Sequence, residues 1–217
     1  ADAPEIFEDM GIDVRHGTAH FVDGHTVAIR DANGSRQQVT GRFIVIATGA
    51  SAFIPPIDGI DQVPVLTNED LFDLEELPDR LAIVGGGPIG TEMAQAFSRL
   101  GSEVTVIDMA DGILQNDDPE LSGRLREILE DEGVRYVLKA QVQGVTASNG
   151  TVAVAAEQDG SSVTVEADRL LLATGRTANV DGLHLDAAGI ETSRPGLTVD
   201  DRCRTNQTPI HADGHVP

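Results

Sequence analysis

The sequence predicts an α/β fold in which a parallel sheet wound with helices is combined with antiparallel β-meanders. Three observations predict it. Residues 81–107 read as strand, glycine turn, helix and strand; the stretches on either side alternate apolar and polar residues between tight turns; and a strand ending in Ala-Thr-Gly occurs twice, at Ala47-Thr48-Gly49 and at Ala173-Thr174-Gly175. Strands that alternate with helices form parallel sheets, because joining a parallel pair needs a crossover of helical length.

The first meander is predicted from Thr18 to Phe21, His25 to Arg30 and Arg36 to Thr40, turning at Asp23-Gly24 and Asn33-Gly34. Phe43-Ile44-Val45-Ile46-Ala47 is an uninterrupted apolar run, the pattern of a strand covered on both faces. Pro55-Pro56 then breaks regular structure. Thr67-Asn68-Glu69-Asp70 is a helix N-cap signal before Leu71-Phe72, with Pro78 as the stop. Leu81-Ala82-Ile83-Val84 is a short buried strand and Gly85 to Gly90 a turn. Thr91 to Leu100 is a helix with Met93, Ala94, Phe97 and Leu100 on one face, stopped by Gly101, and Val104-Thr105-Val106-Ile107 is the next strand. Asp118-Pro119 caps a further helix to about Glu132, and Val134 to Leu138 is a third strand after Gly133. From Ala140 the antiparallel pattern returns, with Thr151 to Ala155 and Ser162 to Glu166 around Asp159-Gly160, and Arg169 to Leu172 leads into the second Ala-Thr-Gly.

Composition narrows the function classes. The 217 residues carry 15 Lys+Arg against 36 Asp+Glu, a net charge of −21, which opposes a polyphosphate backbone and argues against general nucleic-acid binding. Lys139 is the only lysine, and the acids are dispersed along the chain rather than gathered in a tail. Such an excess suits a halophilic protein, whose self-repulsion strong salt screens, and equally an acidic mesophilic one. The sequence shows neither a membrane-length apolar run nor a signal-peptide pattern at Ala1 to Met10, so a cytoplasmic protein is expected. A single cysteine, Cys203, cannot supply an internal disulfide or a redox pair.

The chemistry is carried by Gly85-Gly86-Gly87-Pro88-Ile89-Gly90, a G-x-G-x-x-G between a buried strand and a helix. An acid, Asp108, ends the next strand about 18 residues after Gly90, close to the roughly 20 expected of a dinucleotide-binding Rossmann unit. Gly85 permits the tight turn, Gly87 lets the backbone approach a pyrophosphate, and Gly90 lets helix and strand pack closely. The helix N-terminus then faces the phosphates, and Asp108 accepts hydrogen bonds from the adenosine ribose.

These residues resemble the FAD-dependent pyridine nucleotide-disulfide oxidoreductases, in the branch of lipoamide dehydrogenase and mercuric reductase. The resemblance runs along essentially the whole chain. It rests on Phe43 to Ala50, the Ile54-Pro55-Pro56-Ile57-Asp58-Gly59 linker, Thr67-Asn68-Glu69 leading to Leu77-Pro78, the Gly85 to Glu92 fingerprint, and Ala173-Thr174-Gly175-Arg176 with Asn179, all in the family's order. It implies a Rossmann-like NAD(H)-binding domain at residues 58–177, made of a parallel sheet plus an antiparallel β-meander. Partial FAD-domain segments at residues 1–57 and 178–217 would flank it.

In the family, hydride passes from the nicotinamide to flavin and then to a cysteine pair and substrate. The resemblance places Glu92 beside the nicotinamide ring, Ile89 in the lining of that pocket, Val142 on the adenine side and Gly175 in backbone contact near the nicotinamide. It adds Thr48 and Gly49 of the first Ala-Thr-Gly to the cofactor-binding set. NAD(H) is the expected cofactor of this region, with FAD belonging to the intact parent. The flavin fingerprint, the C-x-x-x-x-C and the C-terminal dimerisation domain are not in this sequence, so an internal piece of a longer, catalytically complete chain is expected, with the missing FAD and dimerisation domains as its partners. His215 stands where the family has the aspartate that holds the flavin ribityl chain. Two other functions fit the residues: a non-catalytic NAD(H) or ADP-ribose-binding module, and a flavin reductase with a non-disulfide acceptor.

The remaining reactive residues have quieter readings. His211 and His215 have the i, i+4 spacing of a zinc pair, but on a non-helical segment; His16 and His20 share it at the start of a strand and are expected at the surface. Cys203 lies between Arg202 and Arg204, which favours a thiolate, yet it has no resolving partner and suits a resting structural thiol. The acidic runs Leu74-Glu75-Glu76-Leu77 and Glu130-Asp131-Glu132 are expected as solvated helix ends.

Overall fold

Leu81, Ala82 and Ile83 are almost wholly inaccessible to solvent and lie in the middle strand of a five-stranded sheet. The computed structural model describes residues 4–193, 196–214 and 216. Its elements begin with α1 (Pro4–Asp9), β1 (Thr18–Phe21), β2 (Thr26–Arg30), β3 (Arg36–Thr40), β4 (Ile44–Ile46), β5 (Ala50–Ala52), β6 (Val65–Leu66), β7 (Arg80–Val84), α2 (Pro88–Leu100) and β8 (Glu103–Ile107). They continue through α3 (Pro119–Asp131), β9 (Arg135–Val137), β10 (Ala140–Ser148), β11 (Thr151–Gln158), β12 (Ser161–Ala167), β13 (Arg169–Leu172), β14 (Arg176–Ala178) and β15 (Ile210–Ala212). The chain divides into two compact units, Ala1–Ser51 with Thr177–Pro217, and Ala52–Arg176.

In the unit Ala52–Arg176 the sheet has the order β6-β13-β7-β8-β9, with every neighbouring pair parallel. Its strands are apolar along their length because both faces are covered, and alternate residues serve alternate layers. Leu81, Ile83, Val104, Val106 and Leu171 form one core with Ala94 and Phe97 of α2 and Leu129 of α3. Ala82, Val84, Ile107, Leu170 and Leu172 form the other with Val145, Val152, Val154, Ala156 and Val165 of the antiparallel sheet β10-β11-β12. The architecture is therefore the expected mixed α/β one, a parallel sheet between helices and a β-meander.

The helix ends are set by local chemistry. Asp118 caps α3 by accepting the Glu120 and Leu121 N–H groups at 3.0 and 3.1 Å. Helix α2 begins at Pro88, earlier than the expected Thr91, because proline fits the first helical turn without losing a hydrogen bond. Gly101 closes it with a φ of 112°. Ala94 and Phe97 are buried as expected, but Leu100 is 66 % exposed. The buried stripe of α2 is centred on Gly90, Ala94 and Phe97, and Leu100 lies about a quarter turn from that line.

Two expectations about the connecting chain are corrected. The segment after Thr67 forms one 3-10 turn, Leu71–Asp73, rather than a helix running to Pro78. Its start signal operates, since Asp70 Oδ2 accepts the Thr67 hydroxyl at 2.8 Å and Thr67 Oγ1 accepts the Glu69 N–H at 3.1 Å. The backbone nevertheless turns extended at Leu74, and a stretch this short before proline cannot repay helix nucleation. Glu75 and Glu76 thus sit in an exposed bend, while in the other acidic run Glu132 pairs with Arg99 at 2.7 Å and Glu130 with Arg126 at 2.9 Å.

The second correction concerns β4. In the unit Ala1–Ser51 with Thr177–Pro217, β1-β2-β3 form the expected antiparallel meander, with Thr18 opposite Arg30 and Thr26 opposite Thr40. Among the described residues, strand β4 pairs in parallel with β15 alone. Ile46 enters a core with Phe21, Leu185, Ile210 and Ala212, whereas Phe43 and Val45 are 59 % and 62 % exposed. The run is apolar on both faces but covered on one among the described residues, because cover comes from neighbours distant in sequence. Strands β5 and β14, where the chain passes between the units, pair with each other. Among the described residues no helix is long and apolar enough to cross a membrane.

Candidate dinucleotide-binding site

The site follows from the strand order. Strand β7 leads through α2 to β8 on one side, while its other neighbour, β13, arrives only after α3 and the meander. Connections that leave a strand in opposite directions open a crevice at the carboxyl ends, where α/β sheets bind ligands. Val84 pairs with Ile107 on one side and Leu172 on the other, so Gly85 emerges level with Asp108 and Ala173.

Each glycine in the turn has its own reason to be glycine. Gly85 has a φ of 112°, and a β-carbon there would overlap the Ala173 carbonyl oxygen. A β-carbon on Gly90 would overlap the Gly85 carbonyl oxygen and lie 3.3 Å from the Ala173 β-carbon. These two positions are closed by packing. Gly87 differs, because nothing lies within 4 Å of a β-carbon built there. It is also the N-cap of α2 and provides no side-chain cap, in contrast to Asp118 on α3. The N-terminus of a 13-residue helix is therefore left to open space, the arrangement that accommodates an anion.

Asp108 bounds the site at the end of β8. Its Oδ2 accepts the Gly86 N–H, and its Oδ1 accepts the Ala110 N–H at 2.7 Å. Each carboxylate oxygen has a second lone pair, so the group keeps capacity for further donors. The acid thereby fixes the turn from the end of β8. The chain after it folds back over the turn: Leu114 N–H donates to the Gly86 carbonyl at 2.9 Å, and Ile113 lies 3.3 Å from a β-carbon built on Gly86. Thr91 Oγ1 donates to the same carbonyl at 3.2 Å. Sequence reasoning missed Thr91, Ile113 and Leu114; the one signal for the last two was an apolar pair directly before the polar run Gln115-Asn116-Asp117-Asp118.

The other expected residues are distributed as follows. Ile89 is half-buried in the first turn of α2 and Glu92 is exposed on the same helix. Gly175, with a φ of 119°, accepts the Phe53 N–H at 3.0 Å, and Thr174 Oγ1 donates to the Phe53 carbonyl at 2.8 Å. Val142 packs on the core between the sheet and the meander, at the β-bulge that separates it from Gly144. Thr48 and Gly49 belong to the other unit. There Thr48 Oγ1 donates to the Asn179 carbonyl at 2.7 Å, and Gly49 accepts the Asn179 N–H at 2.9 Å. Asn179 Nδ2 returns a bond to the Thr48 carbonyl at 3.1 Å.

Of the remaining reactive groups, Cys203 is exposed. Arg204 donates from both Nε and Nη2 to Asp200 Oδ2, and with the Arg204 and Arg202 backbone N–H groups it holds that carboxyl far below the usual range. His211 lies in β15 rather than on a helix, and His215 lies outside the described residues.

Comparison with known proteins fits this geometry. The family described as pyridine nucleotide-disulphide oxidoreductase matches residues 5–216. The chain belongs to that family. It is 34 % identical over 213 residues to mercuric reductase of Staphylococcus aureus, covering 98 % of this chain and 38 % of the relative. With dihydrolipoyl dehydrogenase of Bacillus subtilis it is 34 % identical over 194 residues, covering 88 % and 41 %. Among solved structures, the HOCl-induced flavoprotein disulfide reductase RclA of Escherichia coli, as its Cu(II) complex, superposes with a TM-score of 0.86 at 35 % identity, over 95 % of this chain and 46 % of that one. The chain thus spans less than half the length of these relatives.

Proposed function

We propose that the region 58–177 is the NAD(H)-binding portion of this oxidoreductase and that residues 1–57 and 178–217 are partial FAD-domain segments, with FAD, disulfide or related-acceptor chemistry and dimerisation belonging to the longer parent. The observation that carries this reading is Gly87, open above its backbone at the uncapped end of α2, with the Asp108 carboxylate fixed beside it through Gly86. The residues present fit a dinucleotide: Gly87 leaves room for the diphosphate, the helix end favours its charge, and Asp108 retains acceptor capacity for ribose hydroxyls.

The chemistry that NAD(H) supplies when bound is hydride donation or acceptance at the nicotinamide carbon. This chain's part is to bind and orient. Gly85, Gly86, Pro88 and Gly90 hold the turn in place; Ile89, Glu92 and Gly175 are assigned to the nicotinamide side and Val142 to the adenine side. On this reading the isolated chain is without NADH-dependent disulfide reductase activity.

Calorimetric titration with NADH tests the reading. The wild-type chain is expected to bind, and Gly87→Val to bind about tenfold or more weakly, a loss of about 1.4 kcal/mol, because a branched side chain would occupy the space above the turn. Absence of NADH binding by the folded wild-type chain, or an unchanged affinity in the variant, overturns it.

A further inference from the structure

His20 and His184 are far apart in sequence, yet their rings face each other with centroids 4.6 Å apart and planes tilted by 52°. The sequence suggested a surface histidine at position 20; the structure leaves it partly exposed and adds a ring contact with His184. Both belong to the unit Ala1–Ser51 with Thr177–Pro217 and are distinct from the glycine turn.

Their supports are rigid. His20 precedes Phe21 on β1, and His184 precedes Leu185 at the start of the 3-10 turn Leu185–Ala188. Phe21 and Leu185 are buried in one core cluster, and the Phe21 N–H donates to the Leu183 carbonyl at 2.9 Å. His184 also holds a left-handed backbone, φ 53° and ψ 49°, a conformation that costs free energy in any residue with a β-carbon and that surrounding structure must enforce. The fold therefore fixes the backbones of two histidines side by side at its surface, with their rings in contact.

From this geometry we propose that His20 and His184 form a two-histidine site for a borderline divalent transition metal of the zinc, copper and nickel class. Imidazole nitrogen is a preferred donor for these ions. With metal–nitrogen bonds of about 2.0 Å, a ring centre lies roughly 3.1 Å from the ion, and two ligands at a tetrahedral angle place their centres roughly 5 Å apart. The observed separation is close to that value. Among the described residues no group of three or more His, Cys, Asp or Glu side chains is placed to hold a metal, so water completes the coordination and the ion remains exchangeable.

The test is a Zn(II) titration of the full chain, followed by NMR of the histidine ring nitrogens and by calorimetry. The His20 and His184 signals are expected to move together along one saturation curve, ahead of the other four of the six histidines. His20→Gln and His184→Asn are each expected to weaken Zn(II) binding about tenfold or more; asparagine tolerates the left-handed backbone, so the second variant keeps the turn. If His20 and His184 in the wild-type chain do not respond, or respond at different concentrations, the proposal fails. It fails equally if folded variants bind Zn(II) as the wild type does. Should either variant misfold, the wild-type titration decides by itself.

Discussion

Gly90 rests directly on the Gly85 carbonyl oxygen, so a β-carbon at position 90 would occupy the same space as that oxygen. Gly87, three residues earlier, has nothing around it and an ordinary negative φ of −73°. Gly90→Ala is therefore expected to destabilise the unit by about 1–3 kcal/mol, as overpacking does. Gly87→Ala is expected to leave stability within about 0.5 kcal/mol, as a substitution into open space does. Urea denaturation of both variants checks this, and equal effects would show that the turn relaxes more than its contacts allow.

NADH is expected to bind more tightly than NADPH. Asp108 would repel a 2′-phosphate, and neither lysine nor arginine occurs among Met109, Ala110, Asp111 and Gly112. The structure does bring the lone lysine nearby, since the Lys139 N–H donates to the Ala110 carbonyl at 2.8 Å. Lys139→Gln is accordingly expected to widen the preference for NADH by weakening NADPH alone. Parallel calorimetric titrations decide, with tighter NADPH binding by the wild type as the contrary result.

The reach of the sequence can be judged residue by residue. Leu81 to Ile107 was legible because a buried strand, a glycine turn and an amphipathic helix are each encoded within a few neighbouring residues. The cap at Asp118 was legible for the same reason. Phe43 and Val45 were misjudged because an apolar run states what a strand could bury and says nothing of what lies across from it. The Thr67 signal was real, but it marks where a helix could start and not how far it runs. In the site, the position of Asp108 was readable from spacing, whereas its bond to Gly86 and the cover from Ile113 and Leu114 depend on how a loop folds back.

Salt is expected to stabilise the chain. With 36 acidic against 15 basic residues, compaction brings like charges together, and added KCl screens their repulsion. The melting temperature should rise from dilute buffer to molar KCl. A flat or falling trend would place the acidity outside halophilic adaptation.

Tyr136, the only tyrosine in the chain, gives an alkaline prediction. Its hydroxyl is buried without a protein partner. Burial, and next the nearby Glu130, push its pKa up to about 12, against the opposing pull of Arg126. In the unfolded chain tyrosine ionises near 10, so between about 10 and 12 the unfolded state has lost the proton that the native state keeps. Stability from this group is complete below about pH 10 and falls as pH rises towards 12. Tyrosinate absorbance should follow the higher midpoint in the folded protein. Tyr136→Phe should remove the alkaline loss and leave stability at neutral pH equal or slightly higher, since it deletes an unsatisfied polar atom.

The hydrogen bonds between Phe53 and the Thr174-Gly175 pair mean that the region Ala52–Arg176 starts and finishes at one place. A segment of this kind costs its host little more to carry than a short surface loop, because the host chain need only bridge a gap that the guest has already closed. It follows that the guest should be separable. Excised at Ala52 and Arg176, it should fold alone, and joining its two ends by a few glycines should allow new termini to be cut at an exposed turn such as Asn149-Gly150 without loss of its sheet.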